Sequence, residues 1–141
     1  MTIREMIDGD APGVVPLLQE LGYAVEPAAI PGRVAVIRRE GGDVFVAIDS
    51  DRTLGVIALM RLAVLHAAGP VGMITALVVS SQARGQGVGR QLVDRAKQWA
   101  KREKCVRLIV TSGEQRADAH AFYPACGLPY TGRRFGVVIE P

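Results

Sequence analysis

Aromatic side chains are scarce in this chain, at 5% of 141 residues. Few rings are therefore available for stacking nucleic-acid bases. The basic residues fall in short groups (Arg38-Arg39, Lys101-Arg102, Arg133-Arg134) and form no stripe, so no nucleic acid is expected as a partner. Cysteine is scarcer still: Cys105 and Cys126 only, with no CxxC pair and no Cys/His cluster, and the two histidines, His66 and His120, stand far apart. A disulfide framework and a structural zinc site are both excluded, and no metal is expected. The first residues, MTIREMIDGD, are too polar for a secretory signal. With reduced thiols, that predicts a cytoplasmic protein. No charge of one sign prevails: 17 Lys and Arg against 14 Asp and Glu leave a net +3, read as solvated surface charge.

A true membrane run is missing too. Residues 54–79 are mostly apolar and long enough to span a bilayer. But Arg61 and His66 interrupt them, and Ala-Ala-Gly-Pro at 67–70 signals a turn. Two buried strands joined by a turn explain the segment, and no membrane is expected as a partner.

What is present is an ordinary globular balance, 49% hydrophobic and 22% charged, at a length that suits one domain over residues 1–141. A short strand is expected at 2–6. Asp8 or Asp10 caps a helix over about 11–22, with Val14, Val15, Leu17, Leu18 and Leu21 inward and Gly22 as its stop. Pro16 suggests that this helix starts late or bends. A weaker helix over 27–39 contains Pro31 and Gly32. Strands follow at 43–49, 54–66 and 71–79. A helix over 88–102 puts Val88, Leu92, Ala96 and Trp99 on one face. A strand at 105–111, a helix at 116–126 and a last strand at 134–139 complete the order, with a small strand near 129–131.

Between the strand at 71–79 and the helix at 88–102 stands RGQGVG, residues 84–89. A helix N-terminus offers unpaired N–H groups and partial positive charge. Glycines remove the Cβ atoms that would keep an anion away from them. Arg84 and Arg90 add charge. The loop reads as a pyrophosphate cradle. It is not a Walker loop, because no Lys-Ser/Thr follows. It is not the dinucleotide fingerprint either. Its third glycine would fall at Arg90, and 106–110 read VRLIV, without the required acid.

Arg84-Gly85-Gln86-Gly87-Val88-Gly89 resembles the (R/Q)xxGx(G/A) signature of the GNAT superfamily of acetyl-CoA-dependent N-acetyltransferases. Ala119-His120-Ala121-Phe122-Tyr123 with Gly127-Leu128 resembles the AHxFYxxxGF stretch of the same family, and the similarity is strong over about 72–137. The resemblance implies a single-domain α+β acyltransferase fold. Its mixed, mostly antiparallel sheet has six to seven strands, flanked by about four helices and splayed between 71–79 and 105–111. It implies acetyl-CoA as co-substrate, its pantetheine arm along Leu77, Val78 and Val79. The pyrophosphate is expected on the amides of Gly85, Gln86, Gly87, Val88, Gly89 and Arg90, and Ser112 near the cofactor. A small-molecule or protein amine would be the acceptor. The exposed last strand of the fold and the apolar excess imply a homodimer.

Direct acetyl transfer needs a proton acceptor, an oxyanion donor and an acid for the departing thiolate. Tyr123 matches the family's tyrosine and is the expected acid. An amide at Val78 or Val79 serves the oxyanion. The base is missing: Met73-Ile74-Thr75-Ala76-Leu77 carries no carboxylate. Glu114 and Asp118 read as surface charge, and Glu26 is a candidate contact to a cationic acceptor. Because no base is evident, a non-catalytic CoA-binding or sensor module is the alternative to an enzyme.

Overall fold

The computed structural model describes residues 1–111, 117–132 and 135–141. Ser112, Glu114, Arg133 and Arg134 lie outside the described residues. Strands β1 (Thr2–Glu5), β2 (Asp43–Asp49), β3 (Arg52–Leu62), β4 (Val71–Val79) and β5 (Arg107–Val110) form one sheet in that order. The first four pair antiparallel, and β5 joins β4 in parallel. The alternation of DVFVAID explains the layers. Val44 and Val46 point to one face, where they pack with Val14 and Leu17 of α1 (Ala11–Leu21) and with Ile30 and Val34 of α2 (Ile30–Arg39). Phe45 and Ala47 point to the other, against Leu92, Ala96 and Trp99 of α3 (Val88–Arg102). The last helix, α4 (Ala117–Ala125), lies between β5 and the C-terminal segment in the chain. Among the described residues, no helix is long and apolar enough to cross a membrane.

Several boundaries differ from expectation. Helix α1 does not start late: it runs from Ala11 to Leu21 with Pro16 inside. Pro31 falls in the first turn of α2, where its missing N–H costs nothing, and a separate 3-10 turn at Pro27–Ala29 precedes it. Strand β3 stops at Leu62, and the β3–β4 tip leaves Leu65 fully in solvent. Among the described residues the sheet has five strands, not six to seven. Neither 129–131 nor 135–139 is a strand. Phe135, Val137, Val138 and Ile139 have strand character by residue type, but a strand also needs a neighbour and a face to bury. Here they are 80–91% exposed.

Asp10 stands at the N-cap of α1, yet its carboxylate turns back. It accepts two hydrogen bonds from the Arg4 guanidinium (2.7 and 2.9 Å) and one from the Ile7 N–H (2.8 Å). The hydrogen bond from Arg4 holds the Asp10 carboxyl below its ordinary range. A lowered folded-state pKa stabilises the fold above the unfolded value and loses that contribution as pH falls through the folded one. Asp10→Asn is therefore expected to cost about 1–2 kcal/mol at neutral pH. In urea titrations, the gap between parent and variant should close as pH drops below about 4.

Candidate functional site

Strand β4 carries the site. Its pairing to β5 runs only from Val71↔Arg107 to Ile74↔Val110. Beyond Ile74 no described residue pairs with β4 on that side. At that point the β3–β4 register slips, so that Leu59 faces Ile74 while Ala58 faces Ala76. Thr75 is the extra residue of a bulge, and its hydroxyl donates to the Ala58 carbonyl (3.2 Å). A bulge at the mouth of a split bends one strand away from its neighbour and leaves main-chain groups without a ladder partner.

Which groups these are follows from alternation. The Ser80 N–H donates to the Leu54 carbonyl (2.8 Å). The polar groups of Val78 therefore also point at β3, where Val78 faces Val56. Those of Leu77 and Val79 point to the side on which the β5 pairing has ended. Val78 instead contributes its side chain to the core beside α1.

After Ser80 the chain turns once, with the Ala83 N–H donating to the Ser80 carbonyl (2.9 Å). Glu20 of α1 ties this turn down by accepting from the Ser81 hydroxyl (2.9 Å) and N–H (3.3 Å). Ala83 and Val88 are both buried, while Arg84 to Gly87 between them are exposed. Two apolar anchors thus hold a bare arch. Ala83 was not legible as an anchor, because a single alanine carries no periodic signal.

Gly85 and Gly87 have φ of +81° and +79°, a region that side chains rarely adopt. A Cβ on either would meet nothing within 4 Å, so both face open space. The amides of Gly85, Gly87, Val88, Gly89 and Arg90 donate to no described residue, and the first α3 bond across the junction is Gln91 N–H to Gly87 C=O (3.1 Å). Left-handed glycines followed by the free first turn of a 15-residue helix form a nest of N–H groups suited to an anion.

Gly89 has a different reason for its size. A Cβ there would sit 3.1 Å from the Phe122 ring and 3.4 Å from a Val79 methyl. Close packing of Phe122 on the first turn of α3 brings α4 to the C-terminal end of β4. Two α3 cations hold the far end of α4. Arg90 donates to the Ala125 carbonyl (3.1 Å), and Lys97 donates to the Cys126 carbonyl, where the helix dipole favours positive charge. The Arg90 side chain is thus engaged with α4, and only its amide belongs to the nest. The chain leaves α4 through Gly127, with Leu128 N–H bonded to Tyr123 C=O (2.9 Å) and Gly127 N–H to Pro124 C=O (3.0 Å).

Tyr123 is half-buried in α4, edge-on to Phe122 at 5.2 Å between ring centres. His120 is exposed one turn earlier. Glu26 is exposed just after α1, whose C-terminal end Glu20 ties to the loop. Burial raises the thiols of both Cys126 and Cys105 above their ordinary range, so neither is the thiolate that nucleophilic attack requires. Among the described residues, no carboxylate lies on β4, and no cluster of three or more His, Cys, Asp or Glu could hold a metal.

The sequence matches the Acetyltransferase (GNAT) family over residues 13–128. It is 33% identical over 106 residues to the aminoglycoside N(6')-acetyltransferase type 1 of Stenotrophomonas maltophilia, covering 71% of this chain and 69% of that protein. It is 32% identical over 90 residues to the aminoalkylphosphonate N-acetyltransferase of Salmonella typhimurium, covering 64% of this chain and 58% of that one. The fold superposes on AAC(6')-Iy in complex with the bisubstrate analogue CoA-S-monomethyl-acetylneamine. The TM-score is 0.84 at 17% identity, over 99% of this chain and 98% of the other. With its split sheet and the glycine arch at the N-terminus of α3, this chain belongs to the acetyltransferase (GNAT) family.

Proposed function

We propose that this chain transfers an acetyl group from acetyl-CoA to the amine of a small molecule by direct attack in a ternary complex. The observation that carries the reading is the set of amides at Gly85 and at Gly87 to Arg90 that donate to no described residue, beside a strand whose outward polar groups have no ladder partner among the described residues. Both features fit the donor. The nest suits its pyrophosphate, with Arg84 exposed alongside. The open edge at Leu77 and Val79 suits an amide-bearing arm laid along the strand. Acetyl-CoA supplies the activated thioester.

The chain's own residues do the rest. The Val79 N–H points into the split and donates to the carbonyl oxygen under attack. Val78, whose N–H faces β3, does not. Tyr123 holds a proton on its phenolic oxygen for the departing sulfur. Glu26 meets a cationic acceptor at the rim. The names of the two relatives support a small-molecule amine as acceptor.

No β4 side chain takes the acceptor's proton. Thr75 has no useful acid–base range and its hydroxyl is bonded to Ala58. The amine reacts as its neutral fraction, with water along the split carrying protons away. The test is a panel of amines offered with acetyl-CoA and read by mass spectrometry, followed by pH profiles of kcat/KM for those that react. The ascending limb is expected to follow each amine's own pKa, earlier for a weakly basic amine and later for an alkylamine. One fixed limb across several acceptors would assign the step to an enzyme base. No acetylated product anywhere in the panel, with acetyl-CoA still binding, would favour a CoA-binding module over an enzyme.

A further inference from the structure

Helix α4 carries Tyr123 but has little of the burial that holds α3 in place. Of its described side chains, His120, Ala121, Pro124 and Ala125 are exposed, and Phe122 and Tyr123 are half-buried. Helix α3 buries six side chains, from Val88 to Ala100. Apolar burial is the main term that fixes a helix on its neighbour. Where it is small, directed polar contacts decide the position. For α4 these contacts come from one stripe of α3. Arg90 and Lys97 stand about two turns apart on the same face. Their side chains donate to adjacent carbonyls at the end of α4, those of Ala125 and Cys126. The last carbonyls of a helix lack an intrahelical donor, and a cationic donor makes the stronger kind of hydrogen bond. Arg90 has a second attachment. Its amide belongs to the nest at the start of α3, while its guanidinium holds α4.

We propose that Arg90 and Lys97 are positioning residues for Tyr123. Through the two carbonyls they seat α4 so that the phenol meets the thioester sulfur of a donor anchored on the same helix. One rigid helix then sets both the pyrophosphate and the acid, and the span between them follows from α3. The inference rests on reading the arch as an acetyl-CoA site. It reassigns the Arg90 side chain from the phosphate, where its place in the motif puts it, to α4.

Lys97→Met, Lys97→Arg and Arg90→Met test it, each also combined with Tyr123→Phe. Methionine keeps the apolar stem and removes the donor. The turnover number should fall about 10-fold in both methionine variants, as for a small misplacement of a catalytic group. Acetyl-CoA affinity, read by direct titration, should stay within about twofold, because the nest amides are untouched. Lys97→Arg restores a donor and should keep most of the turnover. In Tyr123→Phe protein the methionine substitutions should cost nothing further, since the group they misplace is gone. Cys126 is buried where the chain leaves α4. Its labelling by iodoacetamide, located by peptide mass spectrometry, should be about 10-fold faster in Lys97→Met. Arg90 and Lys97 favour the thiolate, so loss of their charge alone would slow labelling, and a faster rate reports an opened seat. Weakened acetyl-CoA affinity in Arg90→Met would return that side chain to the phosphate and overturn the proposal. Full turnover in Lys97→Met with chemistry limiting the rate overturns it too, as does an additive loss in Tyr123→Phe protein or unchanged Cys126 labelling. A parent that acetylates no amine is a different failure, that of acetyl transfer. The labelling needs no turnover and still decides whether the clamp exists.

Discussion

Replacing Tyr123 by phenylalanine is expected to lower the turnover number about 10- to 1000-fold, the range for loss of a general acid and its hydrogen bond. The substitution deletes one oxygen. The ring stays edge-on to Phe122, Phe122 stays on Gly89, and Arg90 and Lys97 still hold the end of α4. Packing should survive, and acetyl-CoA affinity should change little. The measurement is steady-state kinetics with any amine the panel identifies, alongside direct titration of acetyl-CoA. Separation of the two is the diagnostic. If turnover is unchanged while chemistry limits the rate, Tyr123 is a packing residue only. If affinity and turnover fall together with the melting temperature, the phenol braces α4 instead of supplying a proton.

Gly87→Val should weaken acetyl-CoA about 10- to 100-fold, since a charge-assisted hydrogen bond to the main chain contributes roughly 1.5–3 kcal/mol. The position is chosen on geometry. A Cβ at Gly87 meets no described residue within 4 Å, so a lost ligand is not the result of a clash with them. The φ of +79° adds strain of about 1–2 kcal/mol for a branched side chain, a modest shift in melting temperature. Gly89→Val differs. Its Cβ would meet the Phe122 ring at 3.1 Å, so α4 must move and thermal stability should fall along with binding. Isothermal titration and thermal melts of both variants check the pair. Unaltered acetyl-CoA affinity in a folded Gly87→Val protein would remove the pyrophosphate from this loop.

Much of this was legible in the residues, and unevenly so. Strand β4 at 71–79 and helix α3 at 88–102 have the boundaries that periodicity predicts. Long, strongly patterned segments announce themselves, because a period of 2 or 3.6 is a local property. The buried α3 face of Val88, Leu92, Val93, Ala96, Trp99 and Ala100 follows from the same signal. The glycine arch was visible because three costly residues in a row of six demand a reason. The split sheet came from resemblance to a family; no spacing in the sequence would have revealed it.

Other features required the tertiary structure. Thr75 looks like any strand residue until β3 is laid beside it and the register slips. That slip and the Ser80 bond decide that Leu77 and Val79, not Val78, turn polar groups to the open edge. Arg90 reads as a phosphate cation from its place in the motif, yet its side chain is taken by the α4 carbonyl at Ala125. Segment 135–139 has the residues of a strand and none of the pairing. The sequence by itself determined which segments are helix or strand, which faces are apolar and where the backbone is bare, all properties of neighbours along the chain. Register and side-chain partners depend on which distant segments come into contact, and only the folded chain decides that.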